Sequence, residues 1–235
     1  MHNSKHSFEE CSNNHRFTNA TEIRNQNVTF AVQELTEADE SGQSINNWHT
    51  MKTILFIIGS LRKGSFNRKL AEEAERMLDG RAKVEYLDYS DVPLMNQDFE
   101  FPAPEAVRKV REKVAEADAL WLFSPEYNYS YPGHLKNLID WLSRPLVAGD
   151  RQTPLAINGK KVALSGAGGA SATARCREKL TELLTLPFIS AEVMTEPQTG
   201  IQLNREAWTE GRMILSEEQT DLLKSQVDAF IDFIG

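Results

Sequence analysis

The sequence predicts a three-layer, doubly wound α/β/α domain built on a five-stranded parallel sheet. Strand-length apolar runs alternate along the chain with segments whose apolar residues recur at helical spacing, as in a βαβ fold. The runs 54–58 and 119–124 lack an inside–outside alternation, which is typical of parallel strands covered by helices on both faces. Right-handed crossovers join such strands into one domain.

The predicted elements follow one another in a regular order. The strands occupy 54–58, 83–89, 119–124, 161–165 and 188–193. The helices carry apolar stripes that include Leu70, Val107, Leu135, Leu180 and Leu223. Residues that favour helix ends support these assignments, and they are Ser65, Gly80, Pro104 and the capping box Ser216–Gln219.

Composition separates the first 50 residues from the rest of the chain. The chain has 235 residues and a formal charge of −8, which argues against a nucleic-acid surface. Residues 1–50 are rich in Asn, Ser, Glu, Gln and His and predict a disordered extension, so the folded domain is expected at 51–235. Only two cysteines, no bilayer-length apolar run and no secretory signal predict a soluble protein of the reducing cytoplasm.

The stretch GSLRKGSFN, which follows the first strand directly, predicts a phosphate-binding loop. Gly59 and Gly64 permit the close backbone approach that an anion site requires. Ser65 caps the following helix, so unpaired N–H groups and the positive end of the helix dipole point towards the loop. Polar side chains complete the donor set, and they are Ser60, Arg62, Ser65 and Asn67.

Two other phosphate loops are excluded by the spacing. A nucleoside-triphosphate loop needs Lys after its second glycine, whereas Gly64 is followed by Ser65. The dinucleotide pattern G-x-G-x-x-G is also missing, because Gly59 and Gly64 lie five positions apart. A lone monophosphate therefore fits the loop better.

A second distinctive loop, SPEYNYSYPG, leaves the third predicted strand. Pro125 stiffens its start, the N–H groups of the next three residues are free of any helix, and the Asn128 amide can both donate and accept. In the flavodoxin-like strand order 2-1-3-4-5, strands one and three are neighbours with a crevice beyond their carboxyl ends. Both loops then open into one crevice that can hold a flat heterocycle beside a phosphate.

These two loops resemble blocks of the NAD(P)H-dependent FMN reductase family, which includes quinone, azo-compound and chromate reductases. The resemblance covers residues 51–194 and rests on GSLRKGSFNRKLA and PEYNYSYPGHLKNLIDWLSR, with GAGG at 166–169 as a weaker third block. It implies an oxidoreductase that passes two electrons by hydride transfer from NADPH or NADH, through noncovalently bound FMN, to a quinone, azo compound, chromate or free flavin. The first 50 residues and the tail after Val193 depart from the family pattern.

The resemblance also implies roles for individual residues. The residues expected to hold the FMN phosphate are Ser60, Arg62, Ser65 and Asn67, and Phe66 is expected among the cofactor-binding residues beside them. Those expected to line the flavin ring and ribityl chain are Pro125, Glu126, Tyr127 and Asn128, with Ser165 and Gly168 approaching the ring from the fourth strand. The flavin carries the chemistry, so neither a catalytic side chain nor a metal is expected. Family members pair subunits across the helix after PEYN, which implies a homodimer or homotetramer with Trp141 presented at the contact.

Two other functions stay open on the sequence. One is an FMN electron carrier that turns over no small acceptor, and the other is a sensor or interaction protein that uses the crevice as a binding module. Cys176 is expected in the core and His134 exposed at a helix start. Arg144 and Arg151 are candidates to meet the 2′-phosphate of NADPH, because of their charge and their place after the flavin-side helix.

Overall fold

A computed structural model describes residues 51–235. The predicted disordered extension, residues 1–50, lies outside the described part, and its boundary with the folded domain stays a prediction. The strands are β1 (Thr53–Ile58), β2 (Lys83–Tyr86), β3 (Ala119–Phe123), β4 (Lys161–Gly168), β5 (Glu192–Val193) and β6 (Thr199–Gln202). The α-helices are α1 (Phe66–Leu78), α2 (Glu105–Glu116), α3 (Gly133–Leu142), α4 (Ala174–Leu184), α5 (Arg205–Glu210) and α6 (Glu217–Ile234), with a 3-10 turn at Gln97–Phe99.

The sheet has the predicted flavodoxin-like order β2-β1-β3-β4-β5, and all of its pairings are parallel. β1 and β3 are neighbours, with Ile58 aligned to Phe123 at their carboxyl ends. The loops that leave these two strands therefore start side by side. This confirms the three-layer α/β/α prediction.

Two apolar layers explain why the central strands carry unbroken apolar runs. Ile54, Phe56 and Ile58 of β1 face a core shared with α1 and α6. Leu55 and Ile57 face the opposite core, which is shared with α2, α3 and α4. Each strand residue is thus buried on one face or the other, which leaves only the strand ends open to a ligand. Within residues 51–235, no helix is long and apolar enough to cross a membrane.

The fourth strand is longer, and the fifth shorter, than predicted. β4 continues through the glycine-rich stretch to Gly168, where a loop was expected after Ser165. The predicted fifth strand, 188–193, is regular only at Glu192–Val193, because Ser190 has a φ of 48° and its N–H donates to Leu186. β6 pairs instead with the carboxyl-terminal half of β4, Ser165–Gly168.

Helix ends follow the predicted capping with one exception. The Ser65 side chain accepts from the N–H of Arg68, and Ser216 forms the predicted capping box with Gln219. The first helix ends at Asp79, which adopts the left-handed conformation itself with a φ of 48°, rather than at Gly80.

The last helix is fixed to the sheet through one buried amide. The Gln226 Oε1 atom accepts from the hydroxyl of Ser165 at 2.7 Å and from the N–H of Thr199 at 2.9 Å. Its Nε2 atom donates to the carbonyl of Leu164 at 2.9 Å. The helix therefore satisfies polar groups of both β4 and β6.

Candidate cofactor-binding site

The two predicted loops meet at the carboxyl edge of the sheet. We call residues 59–65 the first loop and residues 124–132 the second loop. The N–H of Gly59 donates to the carbonyl of Phe123 at 2.8 Å. A Cβ atom on Gly59 would lie only 2.8 Å from the hydroxyl oxygen of Ser124, so the contact requires glycine.

The first loop presents a set of unused donors. No hydrogen-bond partner of the Ser60 hydroxyl or of the Arg62 guanidinium is found within residues 51–235, and that guanidinium lies 5.3 Å from the centre of the Phe66 ring. The N–H groups of Phe66 and Asn67 open helix α1 and have no acceptor within the helix. The Ser65 oxygen accepts a bond from Arg68 as a cap, which leaves its proton free to donate. This donor set suits an anion.

The Asn67 side chain has a different role from the predicted one. Its Nδ2 atom donates to the carbonyl of Ala167 at 3.1 Å, and its Oδ1 atom accepts from the N–H of Ala167 at 2.8 Å. Asn67 is only 3% exposed. The side chain thus joins α1 to β4, and only its main-chain N–H stays available to a phosphate.

The second loop closes through a tight two-residue turn. Tyr127 and Ser130 exchange both main-chain hydrogen bonds, at 2.9 and 3.0 Å. The residues between them, Asn128 and Tyr129, have φ angles of 50° and 58°, as in a type I′ turn. The Tyr127 N–H is free of any helix, as expected, but the turn itself occupies it. The Tyr127 and Asn128 side chains project from the loop and are exposed.

Glu126 joins the second loop to a third loop, residues 169–173. Its Oε1 atom accepts from the hydroxyl of Ser171 at 2.8 Å, and its Oε2 atom accepts from the N–H of Cys176 at 3.0 Å. The carboxylate thus caps the first turn of α4, where the helix dipole favours a negative charge. The third loop is further shaped by Ala172 and Thr173, whose φ angles are 44° and 62°.

Ser165 does not reach the crevice, contrary to the prediction. It is 1% exposed, and its hydroxyl accepts from the Trp121 indole at 2.9 Å while donating to Gln226. Gly168 ends β4 and is half-buried, so its approach to a bound ring stays a prediction. Ser165 was predicted at the end of the fourth strand, but β4 continues three residues further, to Gly168, so Ser165 lies within the strand and in the core.

Cys176 and His134 have contrasting outcomes. Cys176 is fully buried, as expected, and burial raises the pKa of its thiol to about 11. His134 was expected to be exposed, but its ring is half-buried and stacks on Tyr89 with a centroid distance of 6.0 Å. Burial lowers the pKa of His134, which the nearby main chain of Gly59 only partly offsets. No sequence signal marked this contact, because Tyr89 lies 45 residues away.

Two side chains assigned to intermolecular contacts are engaged within the chain. Trp141 is fully buried, and its indole donates to the carbonyl of Pro93 at 2.8 Å, so it is not presented to a second subunit. Arg144 forms a bidentate pair with the buried Glu100 at 2.7 and 2.9 Å. That pair occupies the Nε and Nη2 atoms of Arg144, so only its Nη1 atom has no acceptor within residues 51–235, and its contact with a nucleotide phosphate stays a prediction.

The fold is flavodoxin-like, and the two loops meet where the sheet order reverses, which is the place where folds of this class bind a mononucleotide. A match to the family of NADPH-dependent FMN reductases spans residues 52–203. The NAD(P)H-dependent FMN reductase of Pseudomonas aeruginosa is 36% identical over 178 residues, which cover 75% of this chain and 91% of that protein. The quinone reductase of Escherichia coli is 36% identical over 189 residues, or 77% of this chain and 94% of that one.

A solved structure agrees with these sequence matches. FerB, a flavoenzyme NAD(P)H:(acceptor) oxidoreductase from Paracoccus denitrificans, superposes with a TM-score of 0.67 at 34% identity, covering 78% of this chain and 97% of that one. The chain belongs to the NADPH-dependent FMN reductase family. This confirms the predicted family, the class of enzyme as an oxidoreductase, FMN as cofactor and NAD(P)H as co-substrate.

The described residues fit FMN at the phosphate end of the site. A monophosphate needs convergent N–H and O–H donors and a cation. The first loop supplies them as the unused donors described above. The glycine contact between Gly59 and Ser124 brings the second loop directly beside that anion site. A mononucleotide can therefore contact both loops at once.

Proposed function

We propose that this protein takes a hydride from NAD(P)H with bound FMN and passes two electrons to a small acceptor of the quinone class. The observation that carries the proposal is the meeting of the two loops at the ends of β1 and β3. The acceptor class is suggested by the quinone reductase of Escherichia coli, whose length this chain covers almost completely. Azo compounds, chromate and free flavin are the acceptors to compare with it.

The first loop holds the cofactor in this proposal. Ser60, Arg62 and the two leading N–H groups of α1 neutralise the phosphate, so the mononucleotide is fixed at one end. When bound, FMN supplies the hydride-accepting and electron-donating chemistry. The chain itself contributes position, and orientation of reacting groups can supply several kcal/mol of a barrier.

The second loop orients the ring end. Its unpaired main-chain groups lie beside a rigid strand end, and Glu126 holds it against the third loop through Ser171 and α4. Main-chain N–H groups next to a developing negative charge stabilise it without reorganising. If the nicotinamide and the acceptor stack one after the other on the same face of the flavin ring, the kinetics should be alternating (ping-pong).

The test begins with purified protein reconstituted with FMN. We expect stoichiometric binding of the yellow cofactor and, without oxygen, rapid bleaching by NADPH or NADH, followed by recovery when a benzoquinone is added. Initial rates should give parallel lines in double-reciprocal plots. Bound FMN that NAD(P)H does not bleach would indicate an electron carrier. Intersecting lines would refute the alternating kinetic scheme. A protein that does not bind FMN would refute the proposal as a whole.

We further propose that the protein is a cytoplasmic homo-oligomer. Large apolar side chains beside α3 are exposed, and they are Leu94, Phe99, Phe101, Leu146 and Val147. A second copy covering this face would remove that surface from water. Sedimentation of the wild-type protein and of the Leu94→Glu and Leu146→Glu variants tests this, since a monomeric wild type would refute it.

A further inference from the structure

A cavity of about 580 Å³ lies between α2 and the segment that precedes β4. The described residues that line it lie outside the first, second and third loops. Lys160 lines it and donates to the carbonyl of Ala117 at 2.5 Å, so the cavity adjoins the amino ends of β4 and β3. The cofactor site lies at the carboxyl ends of the same strands. This cavity is therefore a separate place on the domain.

Most of the cavity wall is apolar. The apolar lining comes from α2 and from the segments on either side of the cavity, and it includes Ala103, Ala115, Leu146, Pro154, Leu155 and Ala156. One wall is fixed by Asn158, whose Oδ1 atom accepts from the N–H of Leu155 at 2.6 Å and whose Nδ2 atom donates to the carbonyl of Ile189 at 2.7 Å. The volume is within the range of small-molecule sites, about 300–1,000 Å³. A small apolar group can therefore be held here.

One buried cation at this cavity has no carboxylate partner. Arg111 is only 4% exposed, yet it forms no ion pair within residues 51–235. Its Nε and Nη2 atoms donate to the carbonyl of Trp141 at 3.1 and 2.9 Å, so among its nitrogens only Nη1 has no acceptor in that range. Burial lowers the pKa of Arg111, and the carboxylate that opposes this effect, Glu100, is already bound to Arg144 at 2.7 and 2.9 Å. A buried cation without a counter-charge is costly, so an anion in the cavity would stabilise it.

The other charges at the cavity favour a ligand with a single negative charge. Arg108 and Lys160 line it, and neither forms an ion pair within the described residues. Lys160 already donates to two main-chain carbonyls at the end of α2, at 2.8 and 2.5 Å. Glu112, the one carboxylate of the lining, would repel a dianion. Because Arg111 offers a single nitrogen, a carboxylate fits better than a phosphate, which needs more donors.

We propose that this cavity binds a small amphipathic carboxylate. The carboxylate accepts from the Nη1 atom of Arg111, and the apolar part of the ligand lies against α2 and residues 154–156. Binding here requires neither FMN nor reductase activity. Leu146 also belongs to the face that we assign to a second copy, so that face borders the mouth of the cavity.

Calorimetry on the full chain saturated with FMN tests the site, because the cofactor crevice is then filled. The probes are phenylbutanoate and its neutral amide, phenylbutanamide. We expect a Kd of about 1 mM or tighter for the carboxylate and at least about tenfold weaker binding of the amide. The NMR signal of the Trp141 indole N–H should shift on binding, since the Arg111 guanidinium carbon lies 5.9 Å from the centre of the Trp141 ring.

Three variants locate the binding. Arg111→Gln should reduce the affinity for the carboxylate to that for the amide. Ala115→Trp should abolish the binding of both probes, and it keeps the test decisive if Arg111→Gln does not fold, because Ala115 is exposed on α2. Lys109→Gln on the same helix, outside the cavity, makes the same change in charge as Arg111→Gln. This control should leave both affinities unchanged.

Several outcomes would overturn the proposal. They are equal affinity for the two probes, no detectable binding at about 10 mM, and carboxylate binding that survives Ala115→Trp. Binding that FMN abolishes would place the carboxylate in the crevice instead. Binding only to a monomeric Leu146→Glu variant would show that a second copy covers the cavity. Failure to bind FMN would refute the proposed function alone, and the same titrations on the FMN-free protein would then decide this site.

Discussion

Asn67→Ala is expected to lower the free energy of unfolding strongly, because the Asn67 side chain connects α1 to β4. The substitution removes two hydrogen bonds, of 3.1 and 2.8 Å, and leaves the N–H and carbonyl of Ala167 without partners. Ala167 is 2% exposed, so water cannot easily replace them. At about 1–3 kcal/mol for each of the two unpaired buried groups, the loss is roughly 2–6 kcal/mol.

Thermal and urea unfolding of the FMN-free protein measure this loss. For a domain of this size, about 1 kcal/mol shifts the melting temperature by roughly 2–4 °C, so a fall of about 4–24 °C is expected. Ser60→Ala is the comparison, because Ser60 lies in the same loop without a partner within residues 51–235, and it should leave the melting temperature unchanged while weakening FMN. If Asn67→Ala kept its stability and lost only FMN affinity, the side chain would be a phosphate ligand and our reasoning would be refuted.

Three further predictions concern the site and its supports. Arg62→Gln should weaken FMN binding roughly tenfold or more, because one charge-assisted contact is lost. Riboflavin affinity should be unchanged, because riboflavin lacks the phosphate, and fluorescence titration of both ligands checks this. Gly166→Ala places a Cβ against the Thr173 hydroxyl and the Ser124 carbonyl, so urea unfolding should show a loss of about 1–3 kcal/mol, and an unchanged midpoint would contradict the packing. Because burial lowers the pKa of His134, the folded protein binds that proton less readily than the unfolded chain. Stability should therefore fall as pH drops through about 6.5, and His134→Asn should flatten that slope; an identical slope would contradict it.

The central strands and the first loop were predictable because their signals are local. The unbroken run of β1 indicates burial on both faces, and Ser65 caps α1 through contacts within one turn. The strand order then followed from general rules for parallel sheets. Family, cofactor and enzyme class were accessible for the same reason, since the two loops carry short, contiguous motifs.

The remaining features depend on contacts between distant residues. The glycines at 166 and 168 predicted a loop, but they permit β4 to pass close to Ser124 and Thr173 and to continue as a strand. Arg144 is taken by Glu100, 44 residues away, and Asn67 by Ala167, 100 residues away. β6 and α5 were missed because residues 194–216 show neither period clearly. Pairing of this kind is decided by the folded geometry rather than by composition or spacing.

The amide of Gln226 has a consequence for anyone preparing a minimal fragment. The family match stops at residue 203, yet the helix that carries Gln226 begins fourteen positions later, at Glu217. A protein trimmed to the matched segment would leave the Ser165 hydroxyl without the acceptor that Gln226 provides, and it would expose the core residues that pack against Phe230. The segment that matches the family is therefore shorter than the segment that folds cooperatively, and an expression vector should encode the longer one, including the last helix.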